Sequence, residues 1–284
     1  MPSPPSSSTP PLPEAAGGAG DKAATKRIGL DPSLLAIIDW PCYRIDVPPE
    51  QVRANELYKL WTTFPGGHKW THYFSIYEAV FGPLRALPLR ILEIGVWRGA
   101  SLALWRKYFE HPQTTLVGID ILPECAKFDR PAEGIHVRIG SQTDSEFLKQ
   151  VVREFGPFDL IIDDGSHHSA DMITSFNCLY SDGLKDSGIY FAEDLHANYW
   201  RPWRDSQKSF LDLCKDLMEC MHAHYYYRPP RGGFFIDKAS DQSEASLPVP
   251  RITRMLREIR VFDSMVAIYK ANLPHVPYYL RLDD

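Results

Sequence analysis

Two acid-rich stretches could do chemistry: Asp159–Ala170, "DLIIDDGSHHSA", and Phe191–Trp200, "FAEDLHANYW". Each opens as an apolar strand and ends in paired acids, Asp163-Asp164 in the first and Glu193-Asp194 in the second. If the two strands are neighbours, three or four carboxylates converge on one crevice. Each ionised pair at about 4 Å repels by roughly 4 kcal/mol at an effective dielectric near 20. Such a cluster needs protons, a basic partner or a metal. The ligands on offer are hard oxygens with no adjoining cysteine, which favours Mg2+ or a similar divalent ion over zinc. An extended strand sends Asp163 and Asp164 to opposite faces, and Asp164 is the nearer to the crevice. His167 follows it by three residues, close enough to face the same ligand, and neutral imidazole can act as a general base near pH 7. His168 is its rival.

A second group precedes these. In "LEIGVWRGAS", Glu93 sits on a strand and Gly95 and Gly99 flank a turn into a helix, where the backbone can approach a ligand. The next strand, "VGIDI", ends in Asp120, a carboxylate placed to accept hydrogen bonds from both hydroxyls of a ribose. A nicotinamide dinucleotide is one candidate, but the full GxGxxG is missing and Glu93 would repel a pyrophosphate. The same carboxylate suits the ammonium and sulfonium of S-adenosylmethionine. A strand acid that merely caps the neighbouring helix is the plain alternative for either residue.

The elements that must position these groups alternate from Leu89 onward. Short apolar runs ("LRILEIG", "TTLVGIDI", "GIHVRIG", "FDLIIDD", "GIYFAEDL") are separated by amphipathic helices. One helix places Leu102, Trp105 and Phe109 on a face, and another Phe147, Leu148, Val151 and Val152. Strands apolar on both faces predict a parallel sheet covered on both sides. Near the end, "REIRVFDSMVAIYKA" predicts an antiparallel hairpin turning at Asp263-Ser264. Upstream, residues 27–87 read as a helical extension or lid, with Tyr73, Ile76, Tyr77 and Val80 at helical spacing. The loop "TFPGGHKWTH" carries His68, Lys69, Trp70 and His72 and either covers a site or simply connects helices. Residues 1–26, rich in Pro, Ser, Gly and Ala, read as a disordered tail, and residues 88–284 as the main domain. "YYYRPPRGGFF", Tyr225–Phe235, is either a substrate loop or a rigid turn.

Bulk properties narrow the partners. The 284 residues carry a formal charge of −5, with no basic field to gather a phosphate backbone, so nucleic acid is not the expected partner. Five scattered cysteines without CxxC spacing suggest neither a disulfide framework nor a zinc knuckle. No apolar run is long enough to span a bilayer and the leader lacks the order of a secretion signal, so a cytoplasmic protein without membrane contact is expected.

Taken in order, "LEIGVWRGASLALWRKYF", "GIDI", "IIDDGSHH" and "EDLHANYW" resemble the class I S-adenosylmethionine-dependent methyltransferases, in particular the metal-dependent O-methyltransferases that tailor macrolide sugars, of mycinamicin and macrocin type. Cephalosporin hydroxylase-like proteins share the pattern. The resemblance runs from about Phe64 to Trp200 and, more loosely, over the final hairpin. It implies an α/β, Rossmann-like fold with a mostly parallel seven-stranded sheet. It implies that Glu93, Gly95 and Gly99 shape the cofactor pocket and Asp120 holds the ribose. Asp164, Glu193 and Asp194 would bind Mg2+, His167 would take the acceptor's proton, and Tyr199 and Trp200 would lie near the acceptor. Where the family usually has Gly-Asp-Gln, this chain reads Gly140-Ser141-Gln142. Gln142 is retained among the cofactor-binding residues. The implied reaction moves a methyl group to a hydroxyl of a small natural-product acceptor with adjacent oxygens, sugar diols and catechols both fitting, in a homo-oligomer. A cephalosporin hydroxylase-like oxidoreductase and a non-catalytic cofactor-binding subunit stay open as alternatives.

Overall fold

The structure, a computed structural model, describes residues 50–226, 235–236, 249–274 and 279–280. The expected tail, residues 28–49 and most of the Tyr225–Phe235 stretch lie outside them.

Seven strands form one sheet: β1 (Arg90–Ile94), β2 (Thr115–Asp120), β3 (Ile135–Ile139), β4 (Phe158–Asp163), β5 (Leu184–Ala192), β6 (Leu256–Phe262) and β7 (Met265–Lys270). Their order is β3-β2-β1-β4-β5-β7-β6. The first five are parallel, and β7 joins antiparallel to β5 and to β6. The β6–β7 turn falls at Asp263-Ser264, with Ser264 at φ 66°. A further two-stranded pairing joins Phe235–Ile236 to Tyr279–Leu280.

Strand alternation divides the core in two. Ile91, Leu160, Ile162, Ile189 and Phe191 face one layer, with α2 (Glu56–Trp61), α3 (Tyr73–Phe81) and α4 (Ala100–Tyr108). Leu92, Ile94, Val117, Ile161 and Tyr190 face the other, with α5 (Ser145–Phe155), α6 (Ser169–Leu179) and α7 (Phe210–Met221). A short helix, α1 (Glu50–Ala54), precedes α2, whose start is fixed by Asn55 accepting the Tyr58 amide. On α5 the expected inward face is real but narrower: Leu148 and Val151 are buried, Phe147 and Val152 half-buried. Helix α3 is part of the core: Tyr77 meets Trp105 edge to face at 5.1 Å, and Phe81 meets Phe191 at 4.8 Å.

Between β1 and β4 the order of winding reverses, with β2 and β3 to one side and β5 to the other. At such a switch point the loops beyond the strand ends diverge and leave a crevice.

The alternation of β1 also decides where Glu93 goes. It shares the Ile91 face, so its side chain lies beneath α4, 1% exposed, where Trp105 Nε1 donates to Oε1 at 3.0 Å. Oε2 has no hydrogen-bond partner. Burial raises the carboxyl from its ordinary 4.5 to about 7, against the opposing pull of Lys69. A folded pKa above the unfolded one means the folded state holds its proton longer, so stability falls as pH rises from 4.5 through about 7. For metal-free Glu93→Gln, denaturant titrations across that window should lack this decline, worth up to about 3 kcal/mol relative to the parent. Parallel pH profiles for the two proteins would contradict the assignment.

Candidate active site

Beyond the ends of β1, β2 and β4 lies a cavity of about 840 Å3. Of the residues singled out in the sequence, Gly95, Asp120, Gln142, Asp164, His167, Asp194 and Trp200 line it, as do residues 67–71 of the Gly-rich loop. Glu93, Gly99, Glu193 and Tyr199 do not. Tyr199 is 64% exposed and turned away from the cavity wall. Gly99 caps α4 at φ 73°, and a Cβ there would strike the Phe128 ring, so its need for glycine comes from packing. Gly95, at φ 97°, passes so close to Asp164 that a Cβ would run into that residue's carbonyl oxygen. The glycine turn is thereby locked to the loop that carries the acids.

Asp120 closes the turn from the other side. Its Oδ2 accepts the amides of Val96 and Trp97 at 2.9 and 2.8 Å, and Oδ1 that of Leu122 at 2.9 Å. Oδ2 is thereby saturated, and Oδ1 retains capacity for a further donor.

The two acids of β4 part company as the pleat requires. Asp163 is fully buried on the Tyr190 face, accepting from Tyr190 Oη at 2.6 Å, Ser175 Oγ at 2.9 Å and, more weakly, Gln142 Nε2 at 3.4 Å. Burial raises its pKa, and these bonds oppose the rise. Gln142 is a link in this network: its Oε1 accepts the Ser166 amide at 2.8 Å and its Nε2 donates to Ser175. It therefore braces the loop after β4. Asp164 emerges into the cavity.

His167 sits in that loop with φ 59°, a left-handed conformation uncommon for a residue with a Cβ. Its Nε2 is 3.4 Å from Asp194 Oδ2, while Nδ1 is buried without a hydrogen-bond partner. His168 points elsewhere, with Nδ1 3.3 Å from Asp205. Asp194 is itself left-handed, at φ 54°. Asp164, His167 and Asp194 each offer a ligand atom, all within 4.8 Å of one another. With one imidazole, this set is one short of the two-histidine, one-carboxylate arrangement of iron oxygenases.

Glu193, one residue earlier on the other face of the chain, is fully buried. Its Oε2 accepts from Tyr77 Oη at 2.7 Å and from Lys69 Nζ at 2.6 Å, and Oε1 is unpartnered. Burial pushes its carboxyl up to about 8 against the pull of Lys69. Lys69 Nζ also lies 2.5 Å from Asp164 Oδ2. Tyr73 Oη donates to Asp194 Oδ1 at 2.6 Å and is bonded to Ser264 Oγ at 2.8 Å. Desolvation and the neighbouring Asp194 raise the Tyr73 phenol far above its ordinary value.

Thus Lys69, Tyr73 and Tyr77, from the loop and from α3, hold all three acids, a role the sequence reading gave to none of them. The four-residue spacing of the tyrosines was a visible signal, since it places both hydroxyls on one helix face. His196 also joins the site: its Nδ1 is 2.6 Å from Ser264 Oγ, and its ring meets Trp70 at 5.2 Å and Trp200 at 4.6 Å, both edge to face.

No family model matches the chain. It is 34% identical over 173 residues to an 8-demethyl-8-(2-methoxy-alpha-L-rhamnosyl)-tetracenomycin-C 3'-O-methyltransferase of Streptomyces olivaceus, a match covering 56% of this chain and 43% of that one. It is 32% identical over 182 residues to the mycinamicin VI 2''-O-methyltransferase of Micromonospora griseorubida, covering 59% and 44%. The matches thus span less than half the length of these curated relatives. Among solved structures, the MycE methyltransferase of mycinamycin biosynthesis, in complex with Mg, SAH and mycinamycin VI, superposes with a TM-score of 0.60 at 27% identity, over 79% of this chain and 57% of that one. In fold, this chain resembles the class I S-adenosylmethionine-dependent methyltransferases, and over its sheet-and-helix core it is similar in sequence to the sugar O-methyltransferases of mycinamicin and tetracenomycin type.

Proposed function

We propose that the chain is a divalent-metal-dependent O-methyltransferase that uses S-adenosylmethionine to methylate a hydroxyl of a glycosylated small molecule bearing adjacent oxygens. The observation that carries this reading is the meeting of Asp164, His167 and Asp194 at a cavity also lined by Asp120 and the Gly95 turn. The donor set fits a hard divalent ion, since carboxylate oxygens dominate; Glu193 lies outside that set, with its buried Oε1 unpartnered. The cavity is of the size that accommodates a cofactor and part of an acceptor. The relatives' own acceptors, rhamnosyl tetracenomycins and mycinamicin VI, support a glycoside.

In this reading Asp164 and Asp194, with Glu193 behind them, hold the metal, and Asp120 receives the ribose. When bound, S-adenosylmethionine supplies a methyl group on a cationic sulfur and the divalent ion supplies the charge that makes a neighbouring hydroxyl more acidic. His167 takes the hydroxyl proton at Nε2, since Nδ1 is closed off from solvent, and Asp194 steadies the resulting imidazolium. Gln142 keeps the His167 loop in register, and Glu93 and Gly99 support the cofactor turn from behind the cavity wall. Trp70, His196 and Trp200 form an aromatic wall for the acceptor. We place the enzyme in the cytoplasm as a homo-oligomer. Among the described residues no helix is long and apolar enough to cross a membrane, and the four described cysteines are free.

Labelled S-adenosylmethionine offered with a panel of diol-bearing glycosides, with Mg2+ or with chelator, tests the reading. Asp164→Ala and Asp194→Ala should lose metal-stimulated turnover while keeping the fold by circular dichroism; full activity of Asp164→Ala in chelator would refute the site. His167→Ala should still bind cofactor but turn over about 10²- to 10⁴-fold more slowly. If its pH–rate profile matched the parent's, the proton acceptor would lie elsewhere.

A further inference from the structure

The ammonium of Lys69 stands where the acids converge. It comes from the Gly-rich loop, 95 residues before Asp164 and 124 before Glu193 in sequence, and its side chain is 6% exposed. It lies 2.5 Å from Asp164 Oδ2 and 2.6 Å from Glu193 Oε2, and so occupies one oxygen of each of two acids assigned above to the metal. Gly66 at φ 84° lets the loop turn inward ahead of it. An ammonium and a divalent ion seek the same kind of oxygen and repel each other at short range.

We propose that Lys69 is a built-in counter-cation of the metal site, holding oxygens of Asp164 and Glu193 that a divalent ion must share or take over, and so setting the affinity for that ion. This rests on the metal-dependent reading above. Without metal, the ammonium keeps the carboxylates from repelling each other apart. With metal, its charge opposes the ion. Lys69 is thus a positioning residue that trades metal affinity for an intact site in the metal-free protein. Its neighbour Trp70 lies against His196 on the acceptor wall, so the same anchor fixes part of that wall.

The test uses Mn2+ binding by titration calorimetry, and thermal unfolding with and without saturating Mn2+, on the full chain. Lys69→Met removes the charge at similar length. It should bind Mn2+ about tenfold or more tightly than the parent. It should also melt lower than the parent without Mn2+ and recover most of that loss with Mn2+. Lys69→Arg, which keeps the charge, should stay within about threefold of the parent in affinity. If Lys69→Met does not fold, Lys69→Gln, which keeps a hydrogen-bond donor without the charge, gives the same readout. Unchanged or weaker Mn2+ binding, or an equal loss of melting temperature in both conditions, would overturn the proposal and leave Lys69 a structural anchor. If neither the parent nor the variants bind Mn2+, the metal-dependent reading falls with it; if the parent binds and Lys69→Met gains nothing, the counter-cation proposal alone is wrong.

Discussion

Like charges crowded at the carboxyl ends of two neighbouring strands are the constraint on which this site depends. Asp164, Glu193 and Asp194 leave β4 and β5 side by side, Glu193 fully buried and the two aspartates at the cavity. Their mutual repulsion must be balanced within the fold, and the balance comes from the N-terminal side of the chain. Lys69 bridges Asp164 and Glu193, Tyr77 donates to Glu193, and Tyr73 donates to Asp194. Helix α3 is held firmly enough for this because Tyr77 and Phe81 are wedged against Trp105 and Phe191. The helical segment ahead of the sheet is therefore one half of the site and not an appendage to it.

The other half is organised from inside the sheet. Asp163, buried one residue before Asp164, anchors a network through Tyr190, Ser175 and Gln142 that ends on the Ser166 amide. That network fixes the loop in which His167 takes a left-handed conformation, and Asp194 takes one too at the end of β5. Two non-glycine residues in this sparsely populated region, 3.4 Å apart through their side chains, mark where the fold spends stability to aim functional groups.

Much of this was legible in the sequence. Apolar runs alternating with amphipathic helices gave the parallel strands, and Asp263-Ser264 gave the hairpin turn, because both depend on short-range patterns. The period of the pleat separates Asp163 from Asp164 on sequence alone. The same period applied to β1 puts Glu93 with Ile91 under α4, away from the crevice that its charge alone suggests. Lys69 gave no local signal, since a lysine in a Gly-rich loop reads as solvated and its partners lie far along the chain. Gln142 was read toward the cofactor, yet both ends of its amide are engaged by protein groups. Tyr199 and Trp200 look equivalent in sequence, but the turn that follows Asp194 exposes the first and brings the second to the wall.

The central claim is that these acids gather around a divalent ion beside a spent cofactor. A crystal grown with Mn2+ and S-adenosylhomocysteine, with data collected at the manganese absorption edge, tests it most directly. The arrangement predicts one anomalous peak within bonding distance of Asp164 and Asp194 carboxylate oxygens, with the ribose hydroxyls on Asp120. A peak elsewhere, or bound nucleoside with the three carboxylates still held by Lys69, Tyr73 and Tyr77 alone at saturating Mn2+, would contradict it.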